Sequence, residues 1–175
     1  MKMRRRTVLL AAATAPWAVF ARSQGAGALF GMVTHVVDGD TLHLAARHGK
    51  VTVRIAAIDA PELAQDFGAQ SRLALSEQCV GRSVEARVHK TDPYGRLVAV
   101  VLLGDVDLGL AQLRAGMAWH FTRYAKEQGP SERNAYAAAE ANARAQRVGL
   151  WSTGSPVAPW DFRRLVSPSS RAITN

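Results

Sequence analysis

The stretch Val53–Glu62 reads V-R-I-A-A-I-D-A-P-E, and the rest of the chain is organised around it. Apolar residues occupy every second position from Val53 to Ala57, which is the period-two pattern of a half-buried strand. Because Pro61 has no backbone N–H for a sheet ladder, we expect the strand to end in a turn just before Glu62. The stretch therefore places an arginine, Arg54, on one face of a strand and two carboxylates at its end.

A second acidic cluster lies upstream, where V-V-D-G-D-T-L-H-L carries Asp38 and Asp40 on either side of Gly39. A short loop over residues 45–50 would join this segment to the next strand as a hairpin and bring Asp40 near Asp59. Converging carboxylates repel each other unless they are protonated or bridged by a cation. Their hard oxygen atoms suit Ca²⁺ or Mg²⁺, so the pattern indicates a metal site.

A third segment, D-P-Y-G-R, ends at Arg96 and opens another apolar strand. Two arginines beside a metal–carboxylate cluster supply what a phosphodiester needs, namely charge neutralisation and planar, bidentate hydrogen bonding. Taken in order and spacing, D-G-D-T, R-I-A-A-I-D-A-P-E and D-P-Y-G-R resemble the thermonuclease (staphylococcal nuclease-like) family. The resemblance continues through R-A-G-M-A-W and A-Q-R-V-G-L-W and covers about residues 31–152.

The resemblance implies a role for each motif residue. Asp40 and Asp59 would be Ca²⁺ ligands, together with the main-chain carbonyl of Ala60, where family members often carry threonine. Asp38 would either support these ligands without binding the ion or form an Asx-turn before Gly39, and the sequence leaves both readings open.

The resemblance also assigns the chemistry of the reaction. Glu62 matches the proposed general base that activates water for in-line attack on phosphorus. Arg54 and Arg96 match the arginines that hold the phosphate, with a surface ion pair as the alternative for each. Tyr94 and Tyr124 match substrate-binding aromatic residues, and simple packing is the alternative for both.

The first residues have the composition of a secretory signal peptide. Residues 1–21 combine a basic start, an apolar run and a small-residue cleavage candidate, and they carry four cations and no acid, half of the formal charge of +8. We therefore expect a signal peptide and linker at 1–28, a nuclease domain at 29–152 and a tail at 153–175. Arg5-Arg6 leaves the Sec and twin-arginine routes open, and the mature protein is expected to be periplasmic or secreted and free of the membrane.

Periodicity predicts five short strands with a helix inserted after the third. The strands are expected near 29–37, 41–45, 51–58, 84–88 and 97–103, and helices near 65–80, 108–115 and 131–147, the last capped by Ser131. This pattern alone indicates an α+β domain with a small antiparallel barrel or sheet. The resemblance specifies a five-stranded OB-type Greek-key barrel with about three helices.

The function that follows is an exported, Ca²⁺-dependent nuclease that cleaves DNA and RNA at the P–O5′ bond and leaves 3′-phosphate ends. We expect a monomer with nucleic acid as its partner and no stable protein partner. Two alternatives remain at this stage. One is a non-catalytic OB-type nucleic-acid-binding module of the same fold, and the other is a structural domain that uses Ca²⁺ only for stability.

Overall fold

A computed structural model describes residues 27–166 of the chain, so the predicted signal peptide and the last nine residues lie outside the described part. The strands are β1 (Ala28–Val36), β2 (Thr41–Ala46), β3 (Gly49–Ile55), β4 (Ile58–Asp59), β5 (Ser83–Thr91), β6 (Leu97–Leu103), β7 (Val106–Asp107) and β8 (Trp119–His120). The helices are α1 (Gly68–Cys79), α2 (Leu108–Arg114), α3 (Pro130–Ala145) and α4 (Pro159–Val166). Two 3₁₀ helices span Thr122–Glu127 and Gly149–Ser152.

Five of the strands close into a barrel, as predicted. The sheet order is β3-β2-β1-β5-β6, and β3 pairs with β6 to complete the ring. The pairs around the ring are antiparallel apart from β3 and β6, which run parallel. The OB-type α+β fold class is therefore confirmed.

The barrel core is built from the inward-facing residues of the alternating strands. Val33, Leu42, Leu44 and Val53 have no exposed surface, and Leu75 of α1 is buried in the same core. A separate apolar cluster, formed by Trp119, Ala143, Leu150 and Trp151, packs α3 against β8 and the second 3₁₀ helix.

The third strand is shorter than predicted. The structure ends β3 at Ile55 and turns the chain at Ala57, whose φ is +60°, before β4 pairs with β8. The expectation of one strand running to Ile58 was therefore wrong. Alanine tolerates this left-handed conformation only at some cost, and the pairing of Asp59 with Trp119 holds the turn in place.

Two helix boundaries also differ from the expectation. Helix α1 begins at Gly68 rather than Gln65, and α3 begins at Pro130 after an N-cap at Gly129 that has no side-chain hydrogen bond. The proposed Ser131 cap was wrong, because a proline at the first helical position already suits the helix start.

The tail contains α4, a fourth helix that the sequence pattern did not predict. Trp160 of this helix packs on the domain, since its ring centroid lies 6.5 Å from that of Trp119 and 5.6 Å from that of Phe121. Within residues 27–166, none of the helices has the length and apolar character needed to cross a membrane.

Candidate active site

All eight predicted site residues meet at one cavity of about 730 Å³ beside the barrel. They come from the β1–β2 turn, from β3, from the segment that follows it, from the β5–β6 turn and from the first 3₁₀ helix. The eight are Asp40, Arg54, Asp59, Ala60, Glu62, Tyr94, Arg96 and Tyr124. The cavity thus collects motifs that lie far apart in the sequence.

The two predicted metal carboxylates are buried and converge on one arginine. Arg54 Nη2 lies 3.0 Å from Oδ1 of Asp59 and 3.4 Å from Oδ2 of Asp40. Oδ1 of Asp40 accepts a hydrogen bond from the Thr41 hydroxyl, and its Oδ2 accepts one from the backbone N–H of Ala60. These bonds fix both carboxylates before any ligand arrives.

Arg54 is itself held by the turn that interrupts the strand. Its Nη1 donates to the carbonyls of Ile55 and Ile58, at 3.3 and 3.1 Å. Burial disfavours the charged guanidinium, but the charges of Asp40 and Asp59 outweigh it and raise the pKa of Arg54. The arginine therefore stays a permanent cation that organises the acidic cluster.

Asp38 forms the Asx-turn that the sequence left as one of two readings. Its Oδ1 accepts a hydrogen bond from the backbone N–H of Asp40 at 3.0 Å. Burial and the nearby charge of Asp40 raise the pKa of Asp38 to about 6. Gly39 between them lies against α1, where a Cβ would come within 1.8 Å of the Ser71 hydroxyl oxygen. The turn therefore requires glycine at this position.

Asp59 lies at the centre of the cluster. Burial raises the pKa of its carboxyl, while the hydrogen bonds and charges of Arg163 and Arg54 act in the opposite direction. The oxygens of Asp59 are potential metal ligands, and the negative charge of this buried carboxylate is already balanced by two guanidinium groups.

Glu62 is positioned by its backbone. Its N–H donates to the side-chain carbonyl of Gln65, and its own carbonyl accepts the N–H of Gln65 at 2.8 Å. The backbone of Gly68 packs closely against this carbonyl. A Cβ added at position 68 would lie 2.0 Å from the carbonyl oxygen. The side chain of Glu62 is 38% exposed and faces the cavity, so water can reach its carboxylate.

Arg96 and the two tyrosines form another part of the cavity lining. Arg96 pairs with Asp92 in the β5–β6 turn, with Nη2 2.7 Å from Oδ2, and its guanidinium carbon lies 5.5 Å from the ring centre of Tyr94. Tyr94 is 84% exposed, whereas the ring of Tyr124 lies under the ammonium of Lys90 at 4.3 Å. Arg96 is therefore both an ion-pair partner and a cavity residue.

The structure adds one residue that the sequence did not single out. Arg163 of α4 reaches into the cavity, where Nη2 lies 2.7 Å from Oδ2 of Asp59 and Nη1 lies 2.7 Å from Oε1 of Glu62. Arg163 lies in the segment P-W-D-F-R-R of the tail. No pattern in the sequence linked its arginines to carboxylates about a hundred residues earlier.

The donor set fits a hard cation. Within residues 27–166, no group of three or more His, Cys, Asp or Glu side chains is arranged to hold a metal. The predicted set needs only the two buried carboxylates of Asp40 and Asp59, one backbone carbonyl and water, which are ligands that Ca²⁺ accepts. The carbonyl of Ala60 remains a predicted ligand.

Comparison with known proteins gives a family match for most of the domain. Residues 52–153 match the model of the family described as Staphylococcal nuclease homologue. The chain belongs to this family. The matched range holds Arg54, Asp59, Glu62 and Arg96. Asp40 precedes the range, and α4 follows it.

Several curated relatives of this chain support its assignment to the family. The "Probable staphylococcal-like nuclease CAN2" of Oryza sativa subsp. japonica is 39% identical over 115 residues, 66% of this chain and 30% of that protein. The "Micrococcal nuclease" of Shigella flexneri is 34% identical over 83% of this chain and 84% of its own length. An "Uncharacterized endonuclease" of Haemophilus influenzae is 35% identical over 75% of this chain and 71% of its own length. The chain thus spans less than a third of the plant protein and most of the two bacterial ones.

Proposed function

We propose that the protein is a Ca²⁺-dependent nuclease that hydrolyses phosphodiester bonds of DNA and RNA. One observation carries the proposal: a single cavity joins the two buried carboxylates, a water-accessible glutamate and the two arginines expected to hold the phosphate, Arg54 and Arg96. A nucleic-acid-binding module without catalysis needs cations and aromatic rings, but it has no use for converging buried acids. The relatives named as nucleases point the same way.

Asp40 and Asp59, with the carbonyl of Ala60, would hold the Ca²⁺. When bound there, the ion supplies Lewis-acid stabilisation of the phosphoryl oxygens and neutralises the substrate's charge. Arg54 is a shared neighbour of Asp40 and Asp59, so the two carboxylates already converge on one point. The buried position of both carboxylates excludes bulk water from competing for the same oxygens.

Arg96 would bind the scissile phosphate as the reaction approaches the transition state. Its guanidinium lines the cavity and offers a planar pair of donors that matches two phosphoryl oxygens. Arg54 would add positive charge while holding the acids in place. Charge that develops on the phosphoryl oxygens during attack would then meet two preorganised cations.

Glu62 would act as the general base. Its carboxylate takes a proton from water as the water oxygen forms a bond to phosphorus, and the P–O5′ bond breaks on the opposite side. The departing 5′ oxygen takes a proton from solvent, which leaves a 3′-phosphate and a 5′-hydroxyl. Tyr94 and Tyr124 would contact the nucleotide beside the scissile phosphate, where exposed rings can stack on a base.

Two further parts of the proposal concern the cell. Residues 1–21 would direct export as a signal peptide, and the mature protein would act as a monomer in the periplasm or medium.

The proposal can be tested by incubating the purified mature domain with DNA and RNA of one sequence in the presence of Ca²⁺. Each nucleic acid is supplied in single- and double-stranded form. We expect cleavage of DNA and RNA, with 3′-phosphate ends identified by mass spectrometry of the fragments. Tight binding to these substrates without any cleavage would instead favour the non-catalytic module.

A further inference from the structure

The Arg163 side chain occupies both oxygens of the carboxylate that would bind the metal. Nη2 lies 2.7 Å from Oδ2 of Asp59, and Nη1 lies 3.3 Å from its Oδ1 while also contacting Glu62. This is the fork geometry in which a guanidinium replaces a cation at a carboxylate. Its charge partners raise the pKa of Arg163 although partial burial acts in the opposite direction. The guanidinium therefore remains charged at every working pH.

The helix that carries Arg163 is anchored independently of this contact. One turn earlier, Trp160 packs on Trp119 and Phe121, Pro159 is buried, and the carbonyl of Val157 accepts a hydrogen bond from Gln65. The arginine side chain itself is 45% exposed. It can therefore leave the carboxylates without undocking of α4.

There is room beside the cleft for the displaced side chain. A second cavity of about 490 Å³ adjoins Arg163 and is lined by Phe121, Thr122, Arg123, Trp160 and Arg164. The side chain can thus alternate between the acidic cluster and this open space.

A metal ion and the guanidinium cannot use Asp59 at the same time. A Ca²⁺ ion needs a carboxylate oxygen at about 2.3–2.6 Å, and a guanidinium forked over that carboxylate would face the ion at close range. Like charges at such distances repel strongly in a partly buried site. Each cation therefore weakens the other's binding by the same factor, as linkage requires.

We propose that Arg163 is an internal cation that closes the metal-and-base site in the metal-free protein and competes directly with Ca²⁺ for Asp59. While Arg163 is bound to Asp59, it also pairs with Glu62. In this closed form, neither the metal ligand nor the general base is free. Ca²⁺ binding releases the two carboxylates together. This inference rests on the proposed Ca²⁺ site and adds a regulatory contact from a helix beyond the matched family range.

Isothermal titration calorimetry with Ca²⁺ alone tests the proposal, using wild type, Arg163→Gln and the control Arg164→Gln. The control removes the neighbouring arginine of α4, which is 78% exposed and pairs with Asp161. We expect Arg163→Gln to bind Ca²⁺ at least about fivefold more tightly than wild type. The control should stay within about twofold, and Arg163→Lys should fall between wild type and Arg163→Gln.

Thermal melting separates competition from simple support of the fold. In excess chelator, Arg163→Gln should melt about 4 °C or more below wild type, because Asp59 and Glu62 lose one neutralising cation. In saturating Ca²⁺ the difference should vanish. If Arg163 only stabilised α4, its substitution would lower the melting temperature equally under both conditions.

The outcomes distinguish the two levels of the proposal. Unchanged or weaker Ca²⁺ binding by Arg163→Gln would overturn the competition and leave the Ca²⁺ site intact. Absence of Ca²⁺ binding in all four proteins would overturn the proposed metal dependence, and the competition with it.

Discussion

Arg54 Nη2 lies within 3.4 Å of both Asp40 and Asp59, so one guanidinium ties the β1–β2 turn to β4. The same side chain bonds two carbonyls of the turn between β3 and β4. Arg54 is thus part of the scaffold of the acidic cluster as well as a candidate phosphate ligand. Its replacement would disturb metal binding and catalysis together, which makes the other site residues better probes of single steps.

Glu62→Gln separates proton transfer from binding. The amide keeps the shape of the side chain but cannot accept a proton at neutral pH, so we expect kcat to fall at least about a hundredfold, near 3 kcal/mol. The dissociation constant for a single-stranded oligonucleotide should change less than about threefold. The matched control is Glu77→Gln, at an exposed position on α1, which should keep wild-type turnover. A Glu62→Gln enzyme within threefold of wild-type kcat would remove Glu62 from the role of base.

Arg96→Lys tests whether the arginine does more than pair with Asp92. A lysine keeps the positive charge but loses the planar fork, so we expect cleavage to slow by about a hundredfold or more. The comparison is Arg87→Lys, since Arg87 is also paired with an acid on the barrel, at 2.8 Å from Glu85. Exposed ion pairs contribute about 0–1 kcal/mol, so the control should be nearly silent.

Steady-state kinetics on both variants, at matched melting temperature, gives the answer. Equal, small effects on the cleavage rate at the two positions would show that Arg96 acts only as a surface ion-pair partner.

The sequence pattern alone indicated an α+β domain with a small barrel or sheet, and the family resemblance specified the barrel and the residues that meet in the cavity. Alternating apolar positions identified the strands, and motif spacing brought Asp40 close to Asp59 across a hairpin. The turn at Ala57 was not predictable, because an alanine in the left-handed region leaves no mark in a hydrophobic pattern. The Arg163 contact was equally hidden. It depends on how Trp160 docks α4 against the barrel, which is a tertiary property.

Tyr136→Phe should weaken the fold without touching the site. The buried hydroxyl donates to the carboxylate of Asp107, with 2.8 Å to Oδ2, and Asp107 also caps α2 by accepting from the N–H of Leu110. Loss of one hydrogen bond to a buried carboxylate should reduce the free energy of unfolding by about 1.5–3 kcal/mol in urea denaturation. Tyr94→Phe, at an exposed tyrosine, should change it by less than about 0.5 kcal/mol. Equal effects would contradict a special role for the Tyr136–Asp107 bond.

Asp38 should give the metal-free protein a specific pH dependence. Its folded-state pKa is raised from 3.8 to about 6, mainly by burial and then by Asp40. The folded protein therefore holds this proton more tightly than the unfolded chain. The stability that Asp38 contributes is greatest below pH 4 and is lost as the pH rises to about 6.

The free energy of unfolding, measured in chelator at intervals from pH 4 to 7, checks this sign. The asparagine of Asp38→Asn cannot ionise. The free energy of unfolding of the variant, relative to that of wild type, should therefore increase as the pH rises. A difference that is constant across this range would contradict the raised pKa.

The most direct test of a Ca²⁺-dependent nuclease is the initial rate of cleavage of single-stranded DNA as a function of free Ca²⁺, from excess chelator to saturation. Asp40 and Asp59 are both buried and converge, so we predict no cleavage in chelator and a rate that rises with Ca²⁺ to a plateau. Asp59→Asn should lose this response at all but the highest Ca²⁺ concentrations. Full wild-type activity in excess chelator would contradict the assignment of these carboxylates to a catalytic metal.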